Sequence, residues 1–262
     1  MTPIDKIMAV DAAKCVDLRI ADLPDRAKFR AASALRSLTW ANEIYKSGLS
    51  IPASYFALHA TEEAVAAFVS CAKVCGYGAD AKNINLKNHE DKAVVSFLAQ
   101  KVANLLEQFE IAVAVHPKTN KIAVRYLQDG NVAYAEASTD LLNFVNHEGE
   151  PLGHFYNEIQ EQMGDAEAIK RQIGRIVEGR NEIIYATSKG FPTGFVDPEE
   201  ALRRECKLTI GLVWACVDML DHRKAPIPFI QQALRTANLV IDDMRVKKAK
   251  ATTENEKTPP VS

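Results

Sequence analysis

The sequence predicts an all-α domain carrying one small β-hairpin, and three observations lead there. Apolar residues recur at helical spacing along most of the chain. Residues 111–137 alone have the texture of strands, with KIAVRYL and VAYAEAS flanking an Asp-Gly pair, the strongest short hairpin signal. The composition agrees: 262 residues, 47% hydrophobic and 25% charged, suffice for one elaborated core.

The elements follow in order. A short amphipathic helix is expected before Pro24, making residues 1–24 an N-terminal helical extension. Arg26 to Lys46 is a long helix with Ala27, Ala31, Leu35, Leu38 and Tyr45 on its apolar side, together with Asn42, and Gly48 stops it. Ile51 to Val74 is the next, ending in the glycines of CGYGAD. Asn88 and Asp91 have capping-box spacing and open a helix through Val94, Leu98, Val102, Leu105 and Phe109. The hairpin comes next, then two short helices over 139–164 broken by HEGEPLG. A helix from Asp165 runs up to the loop TSKGFPTGFVD. Asp197, Pro198 and Glu200 then supply N-cap, N1 and N3 signals for a helix reaching about Leu220. Phe229 to Arg245 is the last. Residues 25–246 thus form a single domain, and 247–262 are a polar tail expected to be disordered.

Charge and cysteine usage narrow the function classes. A net charge of −2 argues against a strongly basic surface, so any RNA contact must be local. The five cysteines (Cys15, Cys71, Cys75, Cys206, Cys216) show no zinc-ligand spacing and are expected as reduced core residues. The first residues lack the pattern of a signal peptide and no apolar run is long enough to span a bilayer, so a soluble cytoplasmic protein without membrane contact is expected.

Two charges lie where apolar residues belong. In the helix from Asp165, Ile169, Ile173, Ile176, Arg180 and Ile184 share one face, with Val177 and Ile183 flanking the arginine. Between Pro52 and Lys73 the equivalent stripe is Tyr55, Leu58, Glu62, Val65 or Ala66, and Val69. A charge buried alone costs several kcal/mol or more, so each needs a partner or a use. Glu62 and Arg180 are therefore expected to be largely buried, within hydrogen-bond reach of each other or of a shared polar partner such as Asn42. Two readings compete: an ion pair that only ties helices together, or an arginine held by Glu62 so that its guanidinium grips a phosphate.

The remaining polar residues carry weaker signals. His59, Glu62 and Glu63 lack the HExxH arrangement, so neither a metal nor a cofactor is expected. His89 and Lys92 open a helix and are taken as a solvated cap. Trp40 and Trp214 are core or interface aromatics.

Arg180-Asn181-Glu182-Ile183-Ile184-Tyr185 resembles the motif of the HEPN superfamily: Arg, a polar residue, three variable residues and His. Here tyrosine stands at the histidine position. A closer resemblance is to AbiV-type abortive infection proteins. Ala57-Leu58-His59-Ala60-Thr61-Glu62-Glu63-Ala64 is similar to their Ala-rich helix with a Glu-Glu pair. His89-Glu90-Asp91-Lys92 is similar to their His-x-x-Lys element, and Ile184-Tyr185-Ala186 with the loop around Pro192 to their Leu-Tyr-Val element.

The resemblance covers roughly residues 30 to 220. It implies a HEPN-like helical bundle, a role in phage defence by interference with translation, and a homodimer with RNA or a phage protein as partner. Its site residues would be Arg180 and Tyr185 at the reacting centre, with Asn181, Glu62 and Glu63 in binding. Because a phenol titrates near 10 and an imidazole near neutrality, Tyr185 implies binding more than cleavage. A metal-independent ribonuclease toxin and a non-catalytic protein-binding helical module are the alternatives.

Overall fold

The fold is organised around α4 (Ser50–Val74), the helix that carries Glu62. The computed structural model describes residues 1–108, 110–118, 122–136, 139, 142–184 and 197–255. From Ala64 to Ala72 every residue of α4 is buried, so this half is surrounded on all sides. α3 (Asp25–Lys46) lies along one flank. Ala27, Ala31, Ala34 and Ala41 of α3 and Ala53, Ala57, Ala60 and Ala64 of α4 are fully buried, and such small residues let two helices approach closely. α9 (Pro198–Asp221) packs on α4 as well, and α6 (His89–Gln108) and α8 (Ala166–Ile184) close round it. α10 (Pro228–Asn255) packs on α6, and α5 (Gly78–Ala81) sits between α4 and α10.

Local signals set most helix ends. Gly48 stops α3 with a φ of 83°, and Gly76 follows α4 with a φ of 98°, both in the left-handed region that favours glycine. The Asp197 side chain accepts the Glu200 N–H at 3.0 Å with Pro198 at N1, as the sequence predicts. The Asn88 side chain accepts the Glu90 N–H at 3.0 Å.

The N-terminal segment holds two helices, α1 (Pro3–Met8) and α2 (Asp11–Arg19), where one was expected, followed by a 3-10 turn at Ile20–Asp22. They are joined to the main body: Ile4, Val16, Ile20 and Leu23 belong to one apolar cluster that extends to Ile241 on α10.

The strand region is a three-stranded antiparallel sheet, one strand more than the expected hairpin. β2 (Ile122–Gln128) and β3 (Asn131–Glu136) are joined by Asp129 and Gly130, both at positive φ, 51° and 75°. That is the type I′ geometry which matches strand twist. β1 (Ala112–Val115) pairs along β2, with Val113 opposite Val124. It lies within the 111–137 region expected to be strand-rich, but its four-residue apolar run shows no polar–apolar alternation to mark it as a third strand.

Two other expectations need correction. Two short helices were expected over 139–164; the described residues there hold one α-helix, α7 (Tyr156–Met163), and Thr139 lies in a 3-10 turn. Residues 142–155 before α7 form an irregular loop pinned by a Val145–Pro151 bridge, and the Phe144 and Leu152 backbone groups also bond the Gln232 side chain of α10. α10 itself runs to Asn255 instead of Arg245, so residues 247–255 are helical; the rest of the tail lies outside the described residues.

Candidate anion-binding cleft

Glu62 and Arg180 meet. The Arg180 Nε lies 2.9 Å from Glu62 Oε1, an ion pair that joins α8 to α4. The carboxylate also takes groups from a third helix. Lys92 Nζ donates to Oε2 at 3.0 Å, and His89 Nδ1 lies 3.1 Å from Oε2 and 3.2 Å from Oε1. His89 and Lys92 are three apart in the first turn of α6, hence on one face. Lys92 is not the solvated cap residue expected from sequence, because that face is turned onto α4, while His89 stays exposed. One carboxylate therefore anchors three basic side chains.

Exposure grades across the cluster. The side chains are 9% exposed at Lys92, 17% at Glu62, 20% at Arg180 and 45% at His89. Lys92 is the floor and His89 the rim. The cleft between them is also lined by Leu58, Thr61, Ile176 and Glu205, and its volume is about 30 Å³. That is room for a water or two but not a nucleotide. A larger ligand would have to lie across the mouth and insert only an oxygen or a small group.

The charge balance favours an anion. Burial works to raise the Glu62 pKa, but Lys92, then Arg180 and His89, outweigh it and hold the carboxyl below its ordinary value. Glu205, the second carboxylate of the cleft, is nearly sequestered. Its Oε2 accepts the Thr61 hydroxyl at 2.7 Å, and Arg204 Nη2 sits 2.8 Å from its Oε1. With Glu205 matched by Arg204, a single negative charge on Glu62 faces two permanent cations and a histidine. Arg180 spends its Nε on Glu62, while Nη1 reaches only Asn181 Oδ1 at 3.5 Å among the described residues. The guanidinium edge is thus oriented by Glu62 without being used up by it.

Other expected members of the site lie elsewhere. Asn42 is not the shared partner of the pair. Its Nδ2 donates to Asp5 Oδ1 at 2.6 Å and its Oδ1 accepts the Thr2 hydroxyl, so it ties α3 to α1. Glu63 points away, toward Arg30 of α3 at 4.0 Å. Asn181 is exposed beside Arg180. Tyr185 and the side chain of Ile184 lie outside the described residues. His59 stacks on Tyr55 with ring centroids 6.3 Å apart. Glu205 was legible: it lies between Leu202 and Thr209 in an apolar stripe, the same signal that exposed Glu62.

Fold and site together define a helical-bundle protein with a small three-stranded sheet and a Glu-Arg-Lys-His cleft between α4, α6 and α8. Comparison of the chain with protein-family models, curated proteins and solved structures gives no match. No described helix is long and apolar enough to cross a membrane.

Proposed function

We propose that this chain is an abortive-infection protein of the AbiV type, HEPN-like in architecture, whose cleft holds a phosphate of RNA and thereby interferes with translation. The observation that carries the reading is the surplus of cation at Glu62: Arg180, Lys92 and His89 converge on one carboxylate. A phosphate lying across the mouth would balance that surplus and accept from the Arg180 edge, as guanidinium groups do with phosphate. The working unit is a homodimer, in which Tyr185 or Asn181 of a second copy would complete the mouth. Anisotropy of a labelled single-stranded RNA should report binding that weakens about tenfold or more in Arg180→Ala, with the circular dichroism spectrum kept. Induced expression should slow protein synthesis in cells for the wild type and not for this variant. Equal RNA affinity in the two proteins would remove the phosphate reading, and a monomer in sedimentation would remove the dimer.

One observation favours a ribonuclease as a second reading. With Nδ1 against Glu62, the proton of neutral His89 sits on that nitrogen, and Nε2 is left as an acceptor at the rim. It could take the proton of a ribose 2′-OH. The O2′–P bond then forms as the P–O5′ bond breaks, water protonates O5′, and a 2′,3′-cyclic phosphate results. This route does not need Tyr185 as base. Cleavage that persists with chelator, vanishes in His89→Ala and returns with added imidazole would establish it. Loss of cleavage in Tyr185→Phe, with His89→Ala active, would move the chemistry to the tyrosine. Binding without cleavage leaves the first reading alone.

A further inference from the structure

A row of aromatic rings leads from the exposed side of α3 toward the cleft. Trp40 and Phe56 meet edge to face at 5.6 Å, Phe56 and Tyr55 at 5.4 Å, and Tyr55 stacks on His59 at 6.3 Å. Tyr55, His59 and Glu62 are spaced by four and three residues, so they share one face of α4, and seven residues of helix cover about 10 Å. The row therefore ends one helical turn from the carboxylate that holds Arg180 and Lys92. At its far end Trp40 is 46% exposed, which is unusual for so large an apolar ring. Arg36 lies over that ring, 5.3 Å from its centroid, and Phe29, three turns or about 16 Å back along the same face of α3, is 70% exposed.

We infer that this row is a stacking platform for the unpaired bases of a single-stranded RNA whose phosphate sits in the Glu62–Arg180 cleft. Every base has a face to offer an aromatic ring, so such platforms tolerate sequence and require only that the strand be unpaired. Charge selects this occupant over a second copy of the chain. At about 100° per residue, Arg26 and Arg36 fall within about 40° of Trp40 around α3. The acids on that side, Asp25 and Glu43, are each paired with a lysine, Lys28 and Lys46. An acidic strand suits that side of the helix, whereas a second copy would bring its own Arg26 and Arg36 against it. With Arg36 over one face of Trp40, a base would stack on the opposite face. The inference rests on the phosphate reading of the cleft and adds to it the class of nucleic acid.

Trp40 supplies its own probe, because the other tryptophan, Trp214, is buried. Titrating the full chain with an unlabelled oligouridine should quench the exposed tryptophan, and the quench should be absent in Trp40→Phe. Anisotropy with the same strand labelled should show affinity lowered about 5- to 100-fold in Trp40→Ala and Tyr55→Ala. Trp40→Phe keeps an aromatic face and should retain most of the affinity. A duplex of the same length should bind more weakly than the single strand. If the strand binds and Arg180→Ala weakens it while Trp40→Ala and Tyr55→Ala do not, the platform is overturned and the cleft reading survives. Equal binding of duplex and single strand also overturns the platform. A wild type that binds neither defeats the cleft reading and the platform with it. If Trp40→Ala instead shifts the sedimentation coefficient and leaves RNA affinity unchanged, the row is a self-association face and the inference is wrong.

Discussion

The cluster around Glu62 and the one around Gln232 are both polar knots inside a helical bundle, yet they are built on opposite plans. Gln232 on α10 is 2% exposed and neutral. Its Nε2 faces Asn143 Oδ1 at 2.7 Å, the Leu152 carbonyl at 2.8 Å and the Phe144 carbonyl at 2.9 Å, and its Oε1 accepts the Phe144 N–H at 3.1 Å. One turn on, Thr236 accepts the Phe155 N–H at 3.0 Å and donates to the Gln232 carbonyl at 2.7 Å. Donors and acceptors are consumed by backbone, and the stacked rings of Phe144, Phe155 and Phe229 cover them. Nothing is left for a ligand. The Glu62 cluster has charge to spare and lies at a mouth. A knot that closes on itself specifies a fold; one that leaves surplus charge specifies a site.

The contrast can be broken by substitution. Gln232→Ala should be the costliest change, about 2–4 kcal/mol, because it removes a buried amide that holds the backbone of Phe144 and Leu152. Denaturant unfolding measures it, and RNA affinity of the folded fraction should not move. If affinity falls with stability, the two clusters are not separate.

Glu62→Ala should cost less, about 1–3 kcal/mol, since the cations it strands are partly reached by water. Part of that cost should fade in 1 M salt, where screening acts on charge, while the Gln232→Ala cost stays. A salt response of the same size in both variants would erase the distinction.

A smaller effect follows acidity. The folded pKa of Glu62 lies below its ordinary 4.5, so its ion pairs contribute stability that is present above 4.5 and lost as pH falls through the folded value. The stability gap between wild type and Glu62→Gln should therefore narrow on acidification below 4.5. Gln232→Ala carries no titrating group and should keep a constant gap. Asp5 belongs with Glu62 in this respect. The Asn42 hydrogen bond, against some burial and helped by Thr2 and Lys46, brings its carboxyl to about 2, so the anchor of α1 should loosen only near that pH.

Arg180→Lys should disturb stability least, by under about 1 kcal/mol, because an ammonium can still face Glu62. RNA affinity should nevertheless drop, roughly fivefold, since lysine lacks the planar fork for phosphate. Unchanged affinity would mean that Arg180 acts as a charge alone.

Much of this was legible in sequence for one reason: helical periodicity gives the angle of each residue about its own axis. That placed Glu62 and Arg180 among apolar neighbours and required partners for both. The Asp197-Pro198 start and the Asp129-Gly130 turn were equally local, since their geometry is fixed within four residues. Asn42 shows the limit. Its inward position was read correctly, but the partner waiting there was α1. Lys92 and His89 show it from the other side, for a helix start looks like a solvated cap until another helix is laid across it.

The sequence by itself determined which residues could not stand alone: two opposite charges and an amide in apolar stripes, and helices enough to bury them. Only the tertiary structure decided who answers whom. Azimuth on one helix says nothing of the rise and rotation of its neighbours, and those alone bring Lys92 and His89 of α6 to the carboxylate of α4.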